Sequence, residues 1–136
     1  MFNEITSVEE AFKRQKDQID LKKVEEALSF IPEKFSSGML AILKLQIAAE
    51  VVNNDVPEEP EFKPDFNNDD QEKWSPWYVG GDESGSGFRF HGSDGDWAYT
   101  TARGGARLAL KDEDRADHMN EHFQELYKNL WLILKK

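Results

Sequence analysis

Residues 73–112 read KWSPWYVGGDESGSGFRFHGSDGDWAYTTARGGARLALKD. This stretch holds three of the four tryptophans and eight of the nine glycines, so rings and turn residues are concentrated together. Bulky residues separated by glycine clusters predict antiparallel strands. Residues 73–79 form the first expected strand. Pro76 lacks an N–H for the ladder, which places that stretch at an edge or bulge. Residues 80–87 are a connection and 88–91 a second strand. Residues 92–95 are an expected tight turn, because Asp-Gly tolerates positive φ. Residues 96–101 form a third strand, with Trp97, Tyr99 and Thr101 on one face. Gly104-Gly105 turns the chain into a fourth, at 106–111.

Helical patterns flank this segment. Thr6 or Ser7 offers a capping box with Glu9 or Glu10 ahead of a first helix. Asp20 can cap a second, from 21 to about 30, with Leu21, Val24, Leu28 and Ile31 at helical spacing and Pro32 ending it or bending the chain. A third, capped by Ser36 or Ser37 and running to about Asn53, is apolar on most of its circumference and is the expected central buried helix. Its most apolar part, 38–52, is too short and too polar to span a bilayer. Asp112 caps a long last helix, whose stripe includes Ala116, Met119, Phe123, Tyr127 and Leu130. The expected class is α+β: N-terminal helices, a three- to four-stranded antiparallel β-meander, and a long C-terminal helix packed on the sheet. One domain of 136 residues is expected, with a helical part at 1–53, an acidic loop at 54–72, the sheet at 73–111 and the last helix at 112–136.

The net charge is −10. It is concentrated in residues 56–96, where eleven acids face three bases, so direct nucleic-acid binding is not expected and a partner with a basic surface is. There is no cysteine, which suits a reducing compartment. The N-terminus has neither a basic region nor an apolar run of the signal-peptide kind. A cytoplasmic protein without membrane attachment is expected.

No complete catalytic constellation stands out. His118, Glu121 and His122 match H-x-x-E-H, an inverted zinc-protease pattern in which histidines one turn apart share a metal. A downstream ligand is missing, and a wheel turns Glu121 away from the apolar stripe, so a metal hydrolase is disfavoured. Asp65-Phe66-Asn67-Asn68-Asp69 opens like a calcium loop, but Asp70 stands where glycine is needed and Pro76 where glutamate is. The glycine-rich 80–87 segment carries Asp82 and Glu83, which repel phosphate. No cofactor or metal is implied. Two binding surfaces are candidates. One is aromatic and basic: Trp74, Trp77, Arg89, His91, Arg103 and Arg107, where arginines among rings suit an anionic ligand or nucleotide. The other is the acidic loop, with Glu58, Glu59, Asp69 and Asp70.

Several motifs recur in an order that resembles a family. They are Lys73, Trp74, Pro76, Trp77 and Tyr78; then Ser86, Gly87, Phe88 and Phe90; then Gly105, Arg107, Leu108 and Lys111; then Ala116, Phe123, Leu126, Tyr127 and Lys128. The helix ending in Asn before an acidic, proline-containing loop fits as well. The pattern resembles small uncharacterised proteins of phages, prophages and mobile elements of gut-type anaerobic bacteria, over roughly residues 40–131. The resemblance implies a setting, not a reaction, and carries over no catalytic residue. Together these readings predict a non-enzymatic accessory protein that binds a host or phage protein. Its sharper form is an acidic inhibitor of a nucleic-acid-handling or defence enzyme. The alternative is a small-anion or nucleotide binder using the aromatic and arginine face.

Overall fold

The computed structural model describes residues 1–65, 67–68, 70–80, 88–96 and 108–135, with side chains for 1–65, 67–68, 70–76 and 108–130. After a 3-10 turn at Phe2–Glu4 come α1 (Val8–Arg14), α2 (Leu21–Leu28) and α3 (Glu33–Asn53). β1 (Lys73–Gly80), β2 (Phe88–Asp96) and α4 (Glu113–Lys135) follow. The helix starts obey local chemistry. Ser7 Oγ accepts the Glu10 N–H at 3.1 Å, and Asp20 accepts from Lys22 and Lys23. Asp112 Oδ1 accepts the Arg115 N–H at 2.9 Å. Each cap satisfies donors that the first helical turn leaves unpaired.

α2 stops at Leu28, ahead of Pro32 as expected, and Pro32 also begins the next helix. It is the N-cap of α3, and the Ser36 N–H donates to its carbonyl at 3.0 Å. Its fixed φ suits a helix entry, where no N–H is required. α3 is therefore longer at its N-terminal end than the serines suggested, and at 21 residues it is long and apolar enough to cross a membrane by length and composition alone. In the fold it is a core helix. Leu45, Ala48, Ala49 and Val52 are buried against Ala116, Met119, Phe123, Tyr127 and Leu130 of α4, with Ile5, Ala11, Leu108 and Leu110 closing the cluster. α4 changes direction at Phe123, whose φ of −127° and ψ of 20° leave the helical region.

The sheet is where the sequence expectation fails. The architecture is dominated by α3 and α4, and among the described residues β1 and β2 form a two-stranded antiparallel ribbon rather than a three- to four-stranded meander. β2 does not turn at 92–95. Gly92, Ser93, Asp94, Gly95 and Asp96 pair with Trp77, Pro76, Ser75, Trp74 and Lys73. Asp-Gly permits a turn without compelling one, and β1 supplies a ladder for those residues to join. The register slips between Trp77 and Tyr78, one residue past Pro76, consistent with a bulge at a proline-bearing strand. The third expected strand lies outside the described residues except for Asp96, which ends β2. Of the fourth, Leu108 belongs to a short 3-10 segment, and Leu110 makes a single antiparallel bridge to Trp74. α4 packs chiefly against α3 and also along the ribbon, so it is not simply a helix laid on a sheet.

Candidate functional site

The C-terminal end of α3 holds three separate segments through three consecutive side chains. The Asn53 carboxamide is buried. Its Nδ2 donates to the Ala109 carbonyl at 2.9 Å, and its Oδ1 accepts the Lys111 N–H at 3.0 Å. One side chain thus satisfies the polar groups that a neighbouring strand would otherwise serve. Asn54 caps its own helix, Nδ2 to the Glu50 carbonyl at 2.9 Å, while its Oδ1 accepts the Phe62 N–H at 2.8 Å. Asp55 accepts the Phe2 N–H at 2.6 Å and Arg115 Nη2 at 2.5 Å.

Arg115 completes the junction. Nε donates to the Val52 carbonyl at 2.9 Å, Nη1 pairs with Asp112, and the guanidinium lies 4.6 Å above the Phe2 ring. The Arg115 and Asp55 side chains are only 9% and 3% exposed, so this is a buried ion pair with its donors directed at acceptors. Burial pushes the Asp55 carboxyl up, but Arg115 and the Phe2 N–H outweigh it and hold it below the usual carboxylate range.

The loop after this junction is tied down along its length. Lys111 Nζ reaches Glu59 at 2.8 Å, and Lys16 Nζ reaches Glu61 at 2.6 Å. Gln71 accepts the Asp65 N–H at 2.6 Å and donates to the Lys63 carbonyl at 2.9 Å. Lys73 is buried, and its ammonium donates to the carbonyls of Asn68 and Gln71, each at 3.0 Å. The acidic loop at 54–72 is thus fastened by side chains over its described residues. A cleft of about 440 Å³ lies beside it, lined by residues that include Arg14, Lys16, Glu50, Asn54, Glu59 and Glu61. Its bases are already engaged, Arg14 with Glu10 at 2.6 Å and Lys16 with Glu61.

Of the acidic candidates, Glu58, Glu59 and Asp70 are exposed on this segment. Glu59 is held by Lys111, and the Asp70 N–H donates to Asn68 Oδ1 at 3.0 Å. Asp69 lies outside the described residues. Of the aromatic and basic candidates, Trp74 is half-buried, with its Nε1 donating to Glu72 at 3.2 Å. Trp77 lies in β1 opposite Gly92, while Arg89 and His91 lie in β2, with Arg89 opposite Val79. Arg103 and Arg107 fall outside the described residues.

The histidine pair does not resemble a metal site with an aligned base. The His118 ring is buried, and its Nε2 donates to the Ile5 carbonyl at 2.7 Å, which fixes the proton on that nitrogen. It packs edge-on against Phe2 at 5.2 Å and lies 4.5 Å from the His122 ring. Burial pushes the His118 imidazole down, with its neighbour His122 adding to that. Glu121 is exposed, 3.8 Å from His122 Nε2. No group of three potential ligands occurs among the described residues.

Sequence reasoning missed Asn53, Arg115 and Lys73. For Arg115 a signal exists: a cation in the first turn of a helix opposes the helix dipole and implies a dedicated acceptor. No family model, curated protein or solved structure matches the chain.

Proposed function

We propose that this chain is a non-enzymatic accessory protein of a phage or mobile element. It acts in the bacterial cytosol by binding a host or phage protein that presents a basic surface. The observation that carries this reading is the acidic segment after α3. Residues 56–72 contain seven acids against one base, a charge density that favours a cationic partner face. Glu58, Asp65 and Asp70 point to solvent and make no ion pair among the described residues. The backbone beneath them is held by Asn54, Gln71 and Lys73. A charged surface already fixed in place binds with less ordering cost than a loose one.

The sharper form of the proposal is an inhibitor of a nucleic-acid-handling or defence enzyme, with these carboxylates occupying the place of phosphates. Binding should then weaken steeply with salt and compete with nucleic acid for the same enzyme. The quadruple variant E58Q/E59Q/D69N/D70N should lose the partner while keeping its fold. Unchanged affinity in that variant sinks the phosphate-mimic reading.

A further inference from the structure

The N-terminal half of α3 and the link before it carry exposed apolar side chains, with the Lys34 ammonium 5.1 Å from the Phe35 ring. Phe30 is 82% exposed, Phe35 57%, Met39 48% and Ile42 37%. Phe35, Met39 and Ile42 recur at helical spacing and form one line on α3, distinct from the buried line of Ala41, Leu45, Ala48 and Val52. Phe30 stands in the short link just before α3. α2 has no buried residue at all, and its apolar side, Leu21, Val24 and Leu28, is half-covered.

The charges around this patch differ from those of the rest of the chain. Lys22, Lys23, Glu25, Glu26, Glu33 and Lys34 are all exposed, and none of them makes an ion pair among the described residues. They are three bases and three acids, in a chain whose net charge is −10. On α2 the two lysines lie at the N-terminal end and the two glutamates follow in the C-terminal half. An antiparallel two-fold pairing sets the lysines of one α2 beside the glutamates of the other. The patch is therefore complementary to itself, as an isologous interface requires.

We infer that this face is a dimer interface and that its occupant is a second copy of this chain. The four exposed side chains present roughly 400 Å² of apolar surface, taking about 200 Å² for each when fully exposed. This is about half of the roughly 800 Å² per partner that a standard interface buries, so the exposed α2 residues must supply the remainder. A lipid surface is the weaker occupant, because the rim carries no net positive charge to draw α2 to anionic headgroups.

The test is sedimentation velocity on the full chain over a concentration series. The wild type should reach twice the 15.7 kDa chain mass. F35E/M39E replaces exposed side chains, so the helical circular dichroism should persist while self-association weakens about a hundredfold or more. Charge reversal on α2 separates the pairing mode from general stickiness. E25K/E26K should weaken the dimer, and K22E/K23E/E25K/E26K should restore it. A wild type that stays monomeric to its solubility limit overturns the inference. So does failure of the four-fold charge swap to restore what the two-fold change removes. Vesicles of zwitterionic and anionic lipid form the second arm. Co-flotation of a monomeric wild type would assign the face to a membrane instead.

Discussion

Replacing Arg115 by methionine should uncouple the three segments that meet at the end of α3. Methionine keeps much of the packing over Phe2 but removes every hydrogen bond the guanidinium makes. The Asp55 carboxylate, 3% exposed, would keep backbone donors alone, the Phe2 N–H at 2.6 Å foremost. The Val52 carbonyl would lose the Nε donor that now lies 2.9 Å away. Asp112 would return to solvent, since its side chain is already 40% exposed, and should add little. Stranding one member of a buried pair costs about 3–5 kcal/mol, and the unsatisfied carbonyl is part of that sum rather than an addition to it. Urea unfolding followed by tryptophan fluorescence should show the midpoint falling by about 2 M.

The pH dependence supplies a sharper diagnostic for the same variant. In the wild type the folded Asp55 pKa lies below its unfolded value. Its stabilisation is therefore present above the unfolded pKa and is lost as pH falls through the folded one. Without Arg115, burial dominates and raises the folded pKa, so acidification relieves the variant. The stability gap between wild type and R115M should narrow steadily as pH falls through the carboxylate range. A gap below about 1 kcal/mol at neutral pH, or one that widens on acidification, would refute the assignment of Asp55 and Arg115 as a buried pair.

Other perturbations test separate parts of the account. Asn53→Ala removes one donor and one acceptor from the backbone of Ala109 and Lys111 and should cost about 2–4 kcal/mol in urea unfolding. His118 is held neutral by burial, so its contribution is present above its unfolded pKa and lost as pH falls from there toward the lowered folded value. His118→Gln should flatten the melting temperature against pH in that window, and an unchanged slope would show that His118 is not the titrating group. Gln18 has a φ of 55°, so Gln18→Gly should stabilise the fold by about 0.5–1 kcal/mol, read as a rise in melting temperature. Leu45→Ala, at a fully buried α3 position facing α4, should cost about 2–5 kcal/mol by calorimetry.

The helices were legible because their signals are local. Ser7, Asp20 and Asp112 cap where their side chains can reach the next turn. The apolar spacing of Ala116, Met119, Phe123, Tyr127 and Leu130 marks the buried side of α4. The start of α3 misled because proline not only disfavours helix before it, where α2 duly stops at Leu28, but also welcomes helix after it. The strand count misled for a related reason. Gly92 and Gly95 allow a turn, but whether they turn depends on β1 lying alongside, which is a long-range fact.

The site was less legible still. Asn53-Asn54-Asp55 reads as a helix terminator, and nothing local says that its side chains bind residues 109–111, 62, 2 and 115. The acidic loop was visible from composition, whereas its fastening by Lys73, Gln71 and Lys111 was not. Apolarity over most of the circumference of α3 suggested a central buried helix, yet Phe35, Met39 and Ile42 are exposed.

The central claim is that the fixed acidic segment binds a cellular protein through charge. Its most direct test is quantitative affinity capture from the lysate of a gut anaerobe, with wild type and E58Q/E59Q/D69N/D70N side by side. The account predicts a partner enriched by the wild type, lost from the variant and released by moderate salt. Equal recovery of the same proteins by both chains, insensitive to salt, would contradict it.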